Sequence, residues 1–266
     1  MGESANGCVE VTYPCDKVAQ VTLSRPELLN RVDQELHIAL PAVLNEIAQD
    51  RSVRAVVLAS TGKVFSAGGD FELLHRAYAD GAERQAIIDD GRRLLNALLS
   101  IPQPVVAAMQ GAAIGVGATM VLLCDAVVAA RTASIADTHV AIGLVAGDGG
   151  ALAWPQSAGM LRARRYLLTG DPLDAATAYD FGLVTDLVDS PEAVVPAALE
   201  LAARIARRAP LAVQGTKQAL NRLAAQRAGE VVDLSLALES QTLASEDLLE
   251  GISAIRERRD PLFTGR

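Results

Sequence analysis

Short apolar runs alternate with segments of helical periodicity along the first half of the chain. Residues 18–23 are apolar and β-branched and predict a strand. Arg25-Pro26 ends it, because proline donates nothing to a strand ladder. Asp33 then suits a helix N-cap. Leu36, Leu40, Val43, Leu44 and Ile47 follow at the spacing of one helix face. Pro41 interrupts that face and predicts a kink or a delayed start. Residues 53–58, apolar except for Arg54, predict a strand buried on both sides. An amphipathic stretch at 87–99 is closed by Pro102 and Pro104. Residues 105–109 predict another strand, 120–123 a buried helix and 126–130 a further strand. This alternation predicts an α/β fold with parallel strands. Beyond Trp154 the pattern turns helical. Residues 183–188 are the last strand candidate, and 191–208, 211–227, 231–243 and 246–258 predict helices. No linker separates two independent domains.

Two glycine-bearing segments sit at strand-to-helix junctions: Ser66-Ala67-Gly68-Gly69-Asp70 and Gly111-Ala112-Ala113-Ile114-Gly115-Val116-Gly117. Backbone N–H groups at such junctions are unpaired and lie at the positive end of the helix dipole. Two of them converging on one point make an oxyanion hole, which stabilises an enolate or a tetrahedral anion. Competing motifs fail. Residues 115–120 lack the third glycine of a dinucleotide fingerprint. The chain has no Gly-x-Ser-x-Gly elbow, no phosphate-binding P-loop and no His-Glu-x-x-His, and no metal is implied.

Composition narrows the partners. The 266 residues are 50% hydrophobic and 21% charged, enough for a substantial core. A net charge of -8 without a basic cluster argues against nucleic acid. The basic run at 204–208 reads as a solvated helix face. Cys8, Cys15 and Cys124 have neither metal-ligand nor disulfide spacing, which fits a reducing cytoplasm; Cys124 sits in an apolar run and reads as core. Residues 1–4 lack the basic start and apolar run of a signal peptide. The longest apolar run, 116–123, is too short to cross a membrane.

The ordered set of segments resembles the crotonase, or enoyl-CoA hydratase/isomerase, superfamily. The likeness runs through Val21-Thr22-Leu23-Ser24-Arg25-Pro26-Glu27, Val53-Arg54-Ala55-Val56-Val57-Leu58 and Phe65-Ser66-Ala67-Gly68-Gly69-Asp70. It continues in Pro104-Val105-Val106-Ala107-Ala108-Met109-Gln110-Gly111, Leu168-Thr169-Gly170, Phe181-Gly182-Leu183-Val184 and the C-terminal segment from Ser245 to Arg266. The resemblance implies an α/β spiral of strand–strand–helix repeats over 1–195, carrying the active site. A C-terminal helical region over 196–266 would hold trimers or dimers of trimers. It also implies an acyl-CoA substrate and no cofactor beyond the coenzyme A of that substrate. By similarity the oxyanion-hole donors are the N–H groups of Gly69 and Val116. Valine stands where relatives commonly have glycine, which narrows the pocket. Ala67, Asp70 and Phe71 stand where backbone holds the adenine and pantetheine of CoA. Arg25 stands near the nucleotide phosphates. Glu72 replaces a residue that is often lysine there.

The chain departs from its relatives at the reacting end. Hydratases of the family activate water with two glutamates, and those positions align with Thr119 and His139. Threonine is no general base at neutral pH, though it can orient water. His139 titrates in the right range, and Asp148, nine residues on, is placed to hold its imidazole and stabilise the charged form. Superfamily members that hydrolyse the C–C bond of cyclic β-diketones use a similar His/Asp pair. His37 and His75 carry no signal. Three readings follow. The first is a hydratase-like enzyme in which His139 and Asp148 serve as acid and base and Thr119 positions water. The second is a CoA-independent β-diketone C–C hydrolase. The third is a non-catalytic acyl-CoA-binding protein.

Overall fold

The computed structural model describes residues 4–266, with side chains from residue 7 onward. The first three residues, part of the N-terminal stretch read above, lie outside the described residues. The strands are β1 (Ser4–Asn6), β2 (Val9–Cys15), β3 (Val18–Leu23), β4 (Ala55–Ser60), β5 (Val105–Met109), β6 (Ala113–Ile114), β7 (Ala126–Ala130), β8 (Ser134–Ala136), β9 (Leu173–Asp174) and β10 (Asp186–Val188). The helices are α1 (Gln34–Gln49), α2 (Phe71–Ala79), α3 (Gly81–Ser100), α4 (Val116–Leu122), α5 (Gly150–Ala158), α6 (Met160–Leu167), α7 (Ala175–Phe181), α8 (Pro191–Ala206), α9 (Pro210–Thr242) and α10 (Glu246–Glu257).

The main sheet has the order β1-β2-β3-β4-β5-β7-β10. From β3 onward its strands are parallel, as the sequence pattern predicts, with Val21 paired to Leu58 and Leu58 to Ala107. All of β4 and β5 is buried, which explains their unbroken apolar runs. β4 starts at Ala55 rather than at 53, because the Val53 N–H is taken by the Asp50 carbonyl in a turn. The edge differs from the expected all-parallel picture: β1 and β2 join antiparallel. A second sheet, β6-β8-β9, lines up the segments that lead to the site.

Helix α1 runs unbroken through Pro41, which removes one hydrogen bond, to the His37 carbonyl. Asp33 caps it by accepting from Leu36 N at 3.1 Å, as expected. The two helices expected at 211–227 and 231–243 are one 33-residue helix, α9. Gly229 in its interior costs about 1 kcal/mol against alanine. Contacts along α9 with α3 and α5 sustain it across that point. Helix α8, which contains the expected boundary at 195/196, packs on β4, β5 and β7. No helix among the described residues is long and apolar enough to cross a membrane.

One buried ion pair ties α9 to the sheet. Lys217, 6% exposed, donates to Asp125 at 2.6 Å and to the Gln103 carbonyl at 2.9 Å. Asp125 in turn accepts from Val105 N at 2.7 Å. Removing the ammonium leaves a half-buried carboxylate without its counter-charge. Lys217→Ala is therefore expected to lower stability by about 3 kcal/mol. A reduced urea midpoint at unchanged m-value checks it.

Candidate active site

A cleft of about 780 Å³, counting its open mouth, runs between the 67–74 segment, the start of α4 and the loop after β8. Gly69, Val116, His139 and Asp148 all line it, so the structure brings both glycine segments and the His/Asp pair to one place. The Gly69 N–H has no acceptor among the described residues. Its neighbours are spoken for: Asp70 N donates to Val32 O at 3.2 Å and Gly68 N to Ser66 Oγ at 3.2 Å. Val116 is the first residue of α4, ahead of the first intrahelical bond, Thr119 N to Gly115 O. Gly115, with φ 53° and ψ −122°, makes the bend that starts the helix there.

His139 begins a short 3-10 turn after β8 and is 8% exposed. Its Nδ1 lies 2.7 Å from Asp137 Oδ1, and its Nε2 lies 3.2 Å from Asp148 Oδ2. Burial pushes the imidazole down, but Asp148 and Asp137 outweigh burial and hold it well above its ordinary value. With both ring nitrogens facing carboxylate oxygens, the geometry favours the imidazolium form. Burial pushes Asp148 up, but the charge and hydrogen bond of His139 hold it below the usual carboxylate range. Asp137 sits at the N-terminal end of α5, where Gly150 has no Cβ to block it and the helix dipole favours a negative charge.

Side-chain oxygens around this imidazole are left without hydrogen-bond partners: Asp137 Oδ2, Asp148 Oδ1, Thr119 Oγ1 and Glu239 Oε2. Buried polar atoms are ordinarily paired, so a cluster of orphans marks a place built to receive another molecule. Glu239 comes from α9 and is 5% exposed. Burial first, and then the charge of Asp148, push its carboxyl well above the usual range, which favours the neutral acid. His139, Asp148 and Glu239 together offer ligand atoms within 4.8 Å of one another. An imidazolium with both ring N–H groups directed at carboxylates has no lone pair for a metal, so the arrangement suits proton transfer better than metal binding.

Several expected residues take other roles. Arg25 does not line the cleft: its guanidinium is committed to Asp33 at 2.7 Å through both terminal nitrogens, and to Glu35 at 3.2 Å. Both partners stand at the start of α1. The Asp70 side chain caps α2 through Leu73 N at 2.8 Å and pairs with Arg31 at 2.6 Å. Ala67, Asp70 and Phe71 line the cleft. Glu72 faces Arg256 at 2.6 Å instead of standing alone. His37, set aside in the sequence, lines the cleft from α1; burial holds it below its ordinary value and its Nδ1 has no partner. Sequence reasoning also missed Asp137 and Glu239.

The pH dependence follows from His139. Its raised value contributes stability that is fully present below the ordinary 6.5 and is lost as pH rises through the folded value. Asp137→Asn removes one of the two carboxylates and lowers the folded value. The loss is then expected to begin at lower pH, read from the His139 ring titration by NMR and from Tm against pH.

The chain belongs to the enoyl-CoA hydratase/isomerase family, whose model matches residues 15–266. Its spiral is the crotonase fold. It is similar to the 2,3-dehydroadipyl-CoA hydratase of Escherichia coli K12, with 35% identity over 94% of this chain and 96% of the relative. It is similar to the 1,2-epoxyphenylacetyl-CoA isomerase of the same organism, with 32% identity over 94% of this chain and 95% of the relative. Among solved structures, an enoyl-CoA hydratase/isomerase from Mycobacterium paratuberculosis superposes with a TM-score of 0.89 at 36% identity, covering 93% of this chain and 98% of that one.

Proposed function

We propose that this enzyme seats the carbonyl oxygen of an acyl-CoA thioester between the N–H groups of Gly69 and Val116. The His139–Asp148 pair serves as the acid/base pair that takes up the proton released as that enolate forms. Thr119 positions the water or substrate that meets the pair. One observation carries the reading: an imidazole clamped between two carboxylates shares a cleft with two N–H groups that lack acceptors. An enolate is negative, so N–H donors and a nearby imidazolium stabilise it without reorganisation. Relatives are named for hydration and for isomerisation of CoA thioesters, and a stabilised enolate would serve either reaction. Ala67, Asp70 and Phe71 would receive the CoA arm, with their segment lining the cleft mouth.

A second reading, CoA-independent hydrolysis of a β-diketone C–C bond, is favoured by Arg25. With that guanidinium held by Asp33 and Glu35, the cation expected for the phosphate end of CoA is committed within the chain. Mass spectrometry of products from enoyl-CoA thioesters and from CoA-free cyclic β-diketones separates the two. Water addition or double-bond movement on the thioesters alone supports the first reading. Ring opening of free diketones supports the second. Binding of thioesters without turnover, unchanged in His139→Ala, overturns both and leaves an acyl-CoA-binding protein.

The exposed Leu211, Leu220, Leu223 and Leu234 of α9 support assembly as a homotrimer or a dimer of trimers. Unpaired cysteines at 8, 15 and 124 suit a reducing cytoplasm.

A further inference from the structure

We propose that Glu239, delivered by α9 from the far end of the sequence, is the acid that protonates the α-carbon of the enolate. This deepens the reading above and rests on the enolate it invokes, but not on whether water addition or C–C cleavage forms that enolate.

The site is built around this carboxyl. Glu239 occupies the buried stripe of α9 with Val232, Ser235 and Leu236, where an apolar side chain would be expected. Its Oε2 has no partner among the described residues. It lines the same cleft as Gly69, Val116 and Asp148. The loop opposite makes room for it: a Cβ at Gly147 would stand 2.6 Å from Glu239 Oε2 and 2.5 Å from the Ser235 carbonyl. Two hydrogen bonds clamp that loop to α9, Ser235 Oγ to Gly147 O at 3.0 Å and Val145 N to Thr242 Oγ1 at 3.2 Å. A carboxyl buried without a partner costs stability, so its retention in a clamped, glycine-cleared slot points to a reaction role.

The environments of the two carboxyls are driven apart, which assigns their roles. Asp148, beside the imidazolium, is the carboxylate and takes the proton of water as its oxygen bonds to the substrate. The electrons displaced from the substrate's π bond, or from its breaking C–C bond, settle on the carbonyl oxygen as an enolate. The enolate then reforms C=O while its α-carbon bonds to the Glu239 proton, and the O–H electron pair stays on Glu239 as carboxylate. The proton held by Asp148 returns to Glu239, their oxygens lying within 4.8 Å, and the pair ends as it began.

The test is Glu239→Gln, which keeps the shape and removes the acid. Turnover of whichever substrate the wild type accepts is run in D2O, and deuterium at the product α-carbon is read by NMR. Wild type is expected to place it on one face. The variant is expected to lose about 10²-fold or more in kcat and to scramble the label, because solvent reaches either face. Unchanged rate and a single labelled face overturn the proposal. If Glu239→Gln does not fold, Glu239→Asp retracts the same acid by one methylene; a slowed rate with one face kept supports the proposal, and an unaltered rate overturns it. Where the wild type turns over neither panel, the reading of the previous subsection fails on its own. Infrared difference spectra of wild type against Glu239→Gln then decide this one: absence of a neutral carboxyl band at pH 7 in the wild type overturns it, and its presence supports it.

Discussion

His139→Ala is expected to lower kcat by about 10²–10⁴-fold, the range that a positioned acid or base contributes. The variant removes more than a proton. It leaves Asp137, which is fully buried in its side chain, and Asp148 facing each other across a vacated slot with no cation between them. Breaking a buried pair by removing one partner costs about 3–5 kcal/mol, unless the stranded carboxylates take up protons. The sign of the pH dependence follows. The lowered value of Asp148 contributes stability that is present above its unfolded value and is lost as pH falls through its folded value. The variant has already forfeited that contribution. Its stability deficit is therefore expected to be largest near neutrality and to shrink as pH falls through the folded value of Asp148. Chemical denaturation of both proteins along a pH series reads this directly. Added imidazole, entering the slot from the cleft, is expected to restore part of the rate. A structural histidine at that position would show neither the rescue nor the rate loss beyond the unfolded fraction.

The residues that could be read in advance are those whose chemistry is local in sequence. β5 and β7 are legible because buried parallel strands are apolar throughout, and β3 because only Gln20 and Thr22 interrupt its apolar run; their bounds fall where those runs end. β2 is not, because it alternates instead of running apolar: Val9 and Val11 are buried, while Glu10 and Thr12 between them are half-buried. The pair His139 and Asp148 shares one loop, so their spacing carries the signal. Glu239 reaches the same point from a helix a hundred residues further on, and only its phase betrays it. Val232, Ser235, Leu236 and Leu243 face inward at helical spacing, and a carboxylate sits in that stripe. His37 shares the buried face of α1 with Leu36, Leu40 and Leu44. Nothing in that local pattern says that the face ends at a cleft. Arg25 shows the opposite case: its motif was legible, but that Asp33 and Glu35 hold its guanidinium in the fold is not, because spacing alone does not reveal which acceptors stand beside it.

Val116→Pro is expected to separate the backbone N–H from everything else at its position. Val116 is the first residue of α4, the one helical position where proline fits: its N–H has no intrahelical acceptor to lose, and its fixed φ suits the helix. Gly115 before it is not in the α region, so the restriction that proline imposes on its predecessor is already met. Proline also keeps most of the buried bulk of valine, which is 3% exposed here. The fold should thus survive with a small change in Tm. If the Val116 N–H meets the oxyanion, kcat falls by about 10²–10³-fold, the cost of one such donor. Because that bond strengthens only as charge develops, kcat and kcat/KM should fall together while KM stays nearly constant. Val116→Ala is the complementary control. It keeps the N–H and removes the packing, so it is expected to cost about 2 kcal/mol of stability with kcat largely kept. The opposite split, activity retained in the proline variant and lost in alanine, would assign Val116 a purely steric part. Gly69 would then be the lone donor among the two, and the narrowing of the pocket by valine would be what this position contributes.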